Sequence, residues 1–293
     1  MFQIFFSSCI KHQLPWDNPL LNFWMLFVFL TGLCVGSFLN VCIWRIPQNE
    51  SIIFPPSHCP KCNNELSWFE NIPLLSWICL RGRCRNCSNP ISVRYILVEL
   101  LTGLLFLGVW YRVLDFNLSF YNFIGLLCAC LCITVLAVLT AFIDYEHFII
   151  PNKITYPVLL LGLGAAPFFP ELWGIGIKNP WTTLGVACAS ISVCAGLLVI
   201  LSSIGKFIFK RDVLGWGDIK YIAAVAAVFG PISTFFILFV ASVLGAVSGL
   251  LLIALKKKKL RSSIPFGVSL AIASYLWILR GNEIVRWYLN IST

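Results

Sequence analysis

The sequence predicts an all-α polytopic membrane protein of about eight transmembrane helices carrying one small cytoplasmic insertion, and three observations predict it. Hydrophobic residues make up 59% of the 293-residue chain and charged residues only 11%. Mean hydropathy is +0.88, far outside the range of a soluble domain. Apolar stretches long enough to cross a bilayer core, about 20 residues as helix, recur along the chain, and a single polar segment, from Arg45 to about Arg94, interrupts them.

In chain order, the first apolar run, Leu20 to Ile43, is too long for a signal-peptide core, and no small-residue cleavage pattern accompanies it. It is expected to stay as an anchor. The polar segment that follows has turn residues at Pro55-Pro56 and Asn63-Asn64 and too little apolar content to fold without a staple. Strong spans then run from Tyr95 to Val113, Phe120 to Ile143, Trp181 to Ile204 and Ile232 to Leu255. Weaker ones run from Ile154 to Phe169, Ile219 to Phe229 and Pro265 to Leu279, and Gly230-Pro231 cuts the second of these off from the span after it. The expected organisation is therefore 1–44 as amino-terminal segment and first span, 45–94 as insertion, and 95–293 as membrane core.

Charge orients the spans, because cytoplasmic loops collect Lys and Arg. With the insertion in the cytoplasm, basic residues cluster inside from Arg45 to Arg94, at Lys153, from Lys206 to Lys220 and from Lys256 to Arg261. Only Lys11, Arg112, Lys178, Arg280 and Arg286 fall outside. The run Lys256 to Lys259 reads as a topology signal and lipid anchor, which excludes nucleic acid as the partner implied by the net charge of +9.

Cys59-Pro-Lys-Cys62 and Cys84-Arg-Asn-Cys87 form two CxxC pairs, a spacing close to that of zinc ribbons. Four thiolates close a tetrahedral site and leave no position for water, so the metal expected is a structural zinc. Disulfides would need an oxidising compartment, and the charge pattern places these cysteines in the reducing one; metal-free thiols or a redox pair are the other readings. His58 is expected to be a neighbour only, and the remaining cysteines, Cys128, Cys130 and Cys132 among them, read as small core residues.

Asp144 ends the apolar run that begins at Phe120, and Asp218 closes Gly215-Trp-Gly-Asp218 at the mouth of another. Carboxylates at the edge of a span are costly and need a reason. Two crossings between them return both to one face, where one carboxylate can take a proton from water while the other donates to a scissile carbonyl. Gly215 and Gly217 would let a substrate strand and the second acid approach the backbone closely. The alternative is that both acids merely mark span ends, paired with Lys153 and Lys220. Asp115, Asp212 and Glu146 show that such acids are common here. Lys220 could stabilise an acidic group or the dyad, or serve as an interfacial anchor; His147 reads as interfacial, and Glu99 is a buried acid without an assigned role.

Taken together, Gly36-Ser-Phe-Leu-Asn-Val-Cys-Ile-Trp-Arg-Ile-Pro47, the CxxC pairs enclosing Trp68 to Trp77, Ile91-Ser-Val-Arg-Tyr95, Val98-Glu-Leu100, Asp144 with Pro151, Gly215-Trp-Gly-Asp-Ile-Lys220 and Ile264-Pro-Phe-Gly267 resemble bacterial type IV prepilin peptidases, intramembrane aspartic proteases of the GxGD type. The resemblance runs in order from Gly36 to Ala271. It implies an inner-membrane enzyme that cuts the basic leader from type IV prepilins or type II secretion pseudopilins and methylates the new amino terminus with S-adenosylmethionine. By the same resemblance Asp144 and Asp218 are the catalytic aspartates, and the four cysteines belong to the insertion linked with methyl transfer. The chain departs from the family's usual residues at Ile96, Asn152 and Val268, none of them an acid or thiol of the sites. Rival expectations are a leader peptidase without methyl transfer, a thiol-disulfide oxidoreductase using the CxxC pairs, and a transporter or assembly scaffold with a zinc-bearing domain.

Overall fold

A computed structural model describes residues 19–116, 118–170, 179–210, 214–255 and 265–289. Asp212, Arg211, Lys178, Lys11, Ile264 and the basic run from Lys256 to Arg261 lie outside the described residues. The chain divides into two compact units, Met1–Phe120 and Tyr121–Thr293. The first holds α1 (Pro19–Arg45), a 3-10 turn (Trp68–Asn71), α2 (Leu75–Cys79) and α3 (Val93–Leu114). The second is formed by α4 (Phe120–His147), α5 (Asn152–Ala165), α6 (Pro180–Phe209), α7 (Trp216–Ala254), α8 (Phe266–Leu276), a π-helical turn (Trp277–Gly281) and α9 (Asn282–Tyr288). Among the described residues no β-strand forms, only isolated bridges between His58 and Glu65 and between Arg83 and Pro90. The all-α membrane architecture read from the sequence is thus present.

Five helices, α1, α3, α4, α6 and α7, are long and apolar enough to cross a membrane. The expected count of about eight separates from this number at the weak segments. Residues 219–229 and 232–254 are joined end to end in the 39-residue α7, which would measure about 58 Å if straight, roughly twice a bilayer core. It is not straight. Gly230 adopts φ 80°, ψ −172°, a conformation closed to side-chain-bearing residues, and Pro231 cannot continue the helix before it. The Ser233 and Thr234 hydroxyls each donate to the Gly230 carbonyl at 2.7 Å, so the break leaves that acceptor satisfied in an apolar setting. With 14 residues, α5 is about 21 Å long, shorter than the five long apolar helices.

In the first unit α1 packs on α3 through small residues. A Cβ on Gly32 would lie 2.8 Å from the Gly103 Cα, and one on Gly36 would lie 2.7 Å from the Glu99 Cα, so side chains there would push the helices apart. In the second unit the amino-terminal half of α7 is the core. Tyr221, Ile222, Ala224, Val225, Ala226 and Ala227 are each wholly buried, with α5 and α8 among the neighbours that cover them. Its alanines let neighbours come close: a Cβ on Gly162 of α5 would meet the Ala227 backbone at 2.9 Å. The one polar side chain in that stretch, Tyr221, is satisfied by donating to Ser274 Oγ at 2.9 Å.

Candidate active site and metal centre

Asp144 lies in the last turn of α4, where a carboxylate faces the negative end of its own helix dipole at a cost of about 0.3–1 kcal/mol. A second helix offsets it. The Asp144 Oδ2 accepts the Gly267 N–H at 2.7 Å, in the first turn of α8, whose leading N–H groups have no partners within the helix. A hydrogen bond to a charged group contributes roughly 1.5–3 kcal/mol, so the α8 terminus outweighs the α4 terminus. Gly267 is required for this fit, since a Cβ there would stand 2.9 Å from the same oxygen and 3.0 Å from Thr140 Cγ2. Asp144 is buried.

Asp218 occupies the first turn of α7, the favourable end of a dipole, and its Oδ2 accepts the Gly215 N–H at 3.2 Å. It is half-buried. After Asp144 the chain turns through Phe148, at φ 56°, and lays Ile150 on Gly217. A Cβ on Gly217 would sit 2.9 Å from Ile150 Cβ and 3.3 Å from its N, so the missing side chain admits the connection between α4 and α5. Lys220 donates to Asn152 Oδ1 at 2.7 Å and lies 5.4 Å from the centre of the Tyr156 ring, tying the starts of α5 and α7 together. These contacts bring Asp144 and Asp218 into electrostatic reach of each other.

The remaining candidates fall elsewhere. Among the described residues Lys220 makes no ion pair with either aspartate. His147 sits 4.0 Å from Glu146, and Asp115 pairs with Arg112 at 3.4 Å. Gly267 was not singled out by chemistry in the sequence, because it acts through a backbone N–H from a point 123 residues beyond its partner. Its only local signal is the Pro265-Phe266-Gly267 start of a helix.

The four cysteines form a separate cluster in the first unit. The Sγ atoms of Cys59, Cys62, Cys84 and Cys87 lie within 4.8 Å of one another, with 3.8 Å between Cys59 and Cys87 and 3.9 Å between Cys62 and Cys84. Four sulfurs about 2.3 Å from one zinc stand about 3.8 Å apart, so the cluster fits a tetrahedral ion. His58 is not among the four, and its Nδ1 lies 3.1 Å from the Pro56 carbonyl.

Both knuckles have the same build. Cys59 N–H donates to Asn64 O and Asn63 N–H to Cys59 O, just as Cys84 N–H donates to Asn89 O and Ser88 N–H to Cys84 O, all at 2.9 Å. The residue after each pair, Asn63 or Ser88, adopts positive φ. Backbone N–H groups of Cys62 and Lys61 hold the Cys59 thiol below its ordinary value, and that of Asn64 does the same for Cys62. Against the lowering N–H of Asn89, desolvation and the three neighbouring thiols push Cys87 up to about 11. Four thiols this close compete for charge unless a cation joins them.

Comparison with known proteins bears on both sites. A model of the Bacterial Peptidase A24 N-terminal domain matches residues 30–113, which include the four cysteines. A model of the Type IV leader peptidase family matches residues 130–250, which include both aspartates. The chain is 38% identical to the prepilin leader peptidase/N-methyltransferase of Aeromonas hydrophila, over 96% of this chain and 97% of that protein. It is 36% identical to that of Aeromonas salmonicida (strain A449), with the same two coverages. With that of Myxococcus xanthus (strain DK1622) the identity is 42% over 78% of this chain, which spans only 62% of that relative's length. No solved structure matches the chain.

Proposed function

The chain belongs to the type IV leader peptidase family, multi-pass inner-membrane enzymes named for leader-peptidase and N-methyltransferase activity, and from that premise we propose that Asp144 and Asp218 form the catalytic dyad that removes the leader from type IV prepilins or type II secretion pseudopilins. The observation that carries this is the seating of each carboxylate on a helix amino terminus, Asp144 on α8 and Asp218 on α7, with Ile150 after α4 packed on Gly217 beside Asp218. One carboxylate takes a proton from water as it attacks the scissile carbonyl, and the other gives a proton to that carbonyl oxygen. The proton taken from water then passes to the leaving amine as the peptide bond breaks. Backbone N–H groups and packed glycines fix both acids without using a mobile side chain.

The distribution of basic residues supports a cytoplasmic active site and insertion. A basic leader would then stay in the cytosol while the apolar helix of the substrate lies between spans, which sets the junction at the depth of the dyad. Zinc held by Cys59, Cys62, Cys84 and Cys87 supplies a closed structural staple to the insertion, which otherwise has little core of its own. S-adenosylmethionine enters as the methyl donor through family membership alone, and no residue is assigned to it. Lys220, Gly215 and Gly217 support the catalytic loop.

Mass spectrometry of a prepilin co-expressed with the enzyme tests both activities together. Loss of the leader with a gain of one methyl group is expected. A substrate that keeps its leader overturns the peptidase, and one that loses it without gaining a methyl group restricts the function to cleavage.

A further inference from the structure

The insertion between α1 and α3 leaves large apolar side chains bare: Ile53 is 72% exposed, Phe54 73%, Leu75 60% and Ile78 58%. Exposure of single apolar residues is ordinary and decides nothing by itself. What decides here is where these segments are tied. Arg45, the last residue of α1 and itself buried, donates to the Ser51 carbonyl at 3.0 Å and the Pro56 carbonyl at 3.4 Å. The loop between those carbonyls, with Ile53 and Phe54 in it, is thereby held at the end of a membrane span. Ser51 Oγ accepts the N–H groups of both Ile53 and Phe54, at 3.3 and 3.2 Å, so these backbone donors need no water.

The second tie reaches deeper. Glu99 is buried in α3, six residues or about 9 Å in from Val93, and its Oε2 accepts the Leu74 N–H at 2.9 Å. Leu74 caps α2, so the short helix carrying Leu75 and Ile78 starts level with the inside of a span and not beyond it. Trp77 fixes its other side by packing on Gly82, where a Cβ would come within 2.7 Å of the indole, at a φ of 65° that already favours glycine. The neighbouring spans are apolar and exposed at the same level, with Trp44 on α1 at 51% and Leu97 on α3 at 56%. The exposed Arg81 and Arg83 follow α2 directly.

We infer that the cysteine insertion is seated in the membrane surface, with α2 and the loop at Ile53-Phe54 inserted at the boundary of headgroups and acyl chains and with Arg81 and Arg83 on anionic headgroups. The apolar belt of α1 and α3 continues into the insertion, and aromatic and basic residues are the types that favour this interface. Glu99 and Arg45 act as positioning residues that set its depth.

The test uses the full chain in nanodiscs of phosphatidylethanolamine and phosphatidylglycerol, with the photo-crosslinker p-benzoylphenylalanine placed singly at Phe54, Leu75 or, as a control, the exposed Lys61. Lipid adducts at positions 54 and 75 at least fivefold above those at 61 are expected. Adducts to another segment of the chain, to a second copy or to an added prepilin, or lipid adducts no more frequent than at 61, overturn the inference. A double variant, Phe54→Glu with Leu75→Glu, checked for unchanged metal content, is expected to lose at least tenfold of the backbone hydrogen-exchange protection at 51–56 and 74–79. Protection equal to that of the unmodified protein also overturns it.

Discussion

The cysteine cluster and the aspartate pair are assembled by opposite means. Each cysteine knuckle is closed by hydrogen bonds spanning five residues or fewer, and the two knuckles repeat one another down to the positive φ that follows each pair. The aspartates meet only because α4, α7 and α8 pack, and the bond that seats Asp144 spans 123 residues. A local site tolerates loose surroundings and depends on its ligands. A packed site depends as much on residues without reactive side chains, here Gly217, Gly267 and Ile150.

The widest separation between the two regions should come from the acids themselves. Asp144→Asn and Asp218→Asn are each expected to lower prepilin cleavage by at least about 10²-fold, the scale of a lost acid or base, while metal content stays unchanged. A folded variant cutting at near wild-type rate breaks the dyad assignment. Next, Cys59→Ser or treatment with a chelator should release zinc and abolish methyl transfer, with cleavage retained to within about threefold; metal analysis paired with the two assays reads this out. Parallel loss of cleavage would show that the two sites are not independent.

Smaller effects sharpen the contrast. Gly217→Ala and Gly267→Ala each force a Cβ into a space below 3.0 Å and are expected to lower kcat about tenfold with little change in KM, as the carboxylates are displaced. Smallest of all, Lys220→Met should lower kcat only about two- to fivefold, since Lys220 acts on Asn152 and Tyr156 and not on the acids. A loss as large as that of the aspartate variants would instead place Lys220 in direct contact with substrate.

What the sequence made legible follows the same division. Cys59, Cys62, Cys84 and Cys87 were readable because their spacing is their geometry. Asp144 and Asp218 were readable only after spans were counted between them, and Gly217 because it stands in the same tetrad. Gly267 was not readable by chemistry, since a backbone N–H leaves no mark in composition. The span count resisted for another reason: α5 is short, the first half of α7 is apolar because protein surrounds it, and an apolar run does not record whether its neighbour is lipid or helix. Gly230-Pro231, by contrast, announced the break in α7 directly.

That break separates mechanical load from chemistry. A continuous helix would transmit any mismatch with bilayer thickness along its whole length, tilting Asp218 whenever the lipids changed. With α7 interrupted at Gly230, a change of tilt in residues 231–254 need not be carried along the helix axis into 216–229, where residues 221–227 are buried. Asp218, in the first turn of α7, thus lies on the other side of the break from residues 231–254.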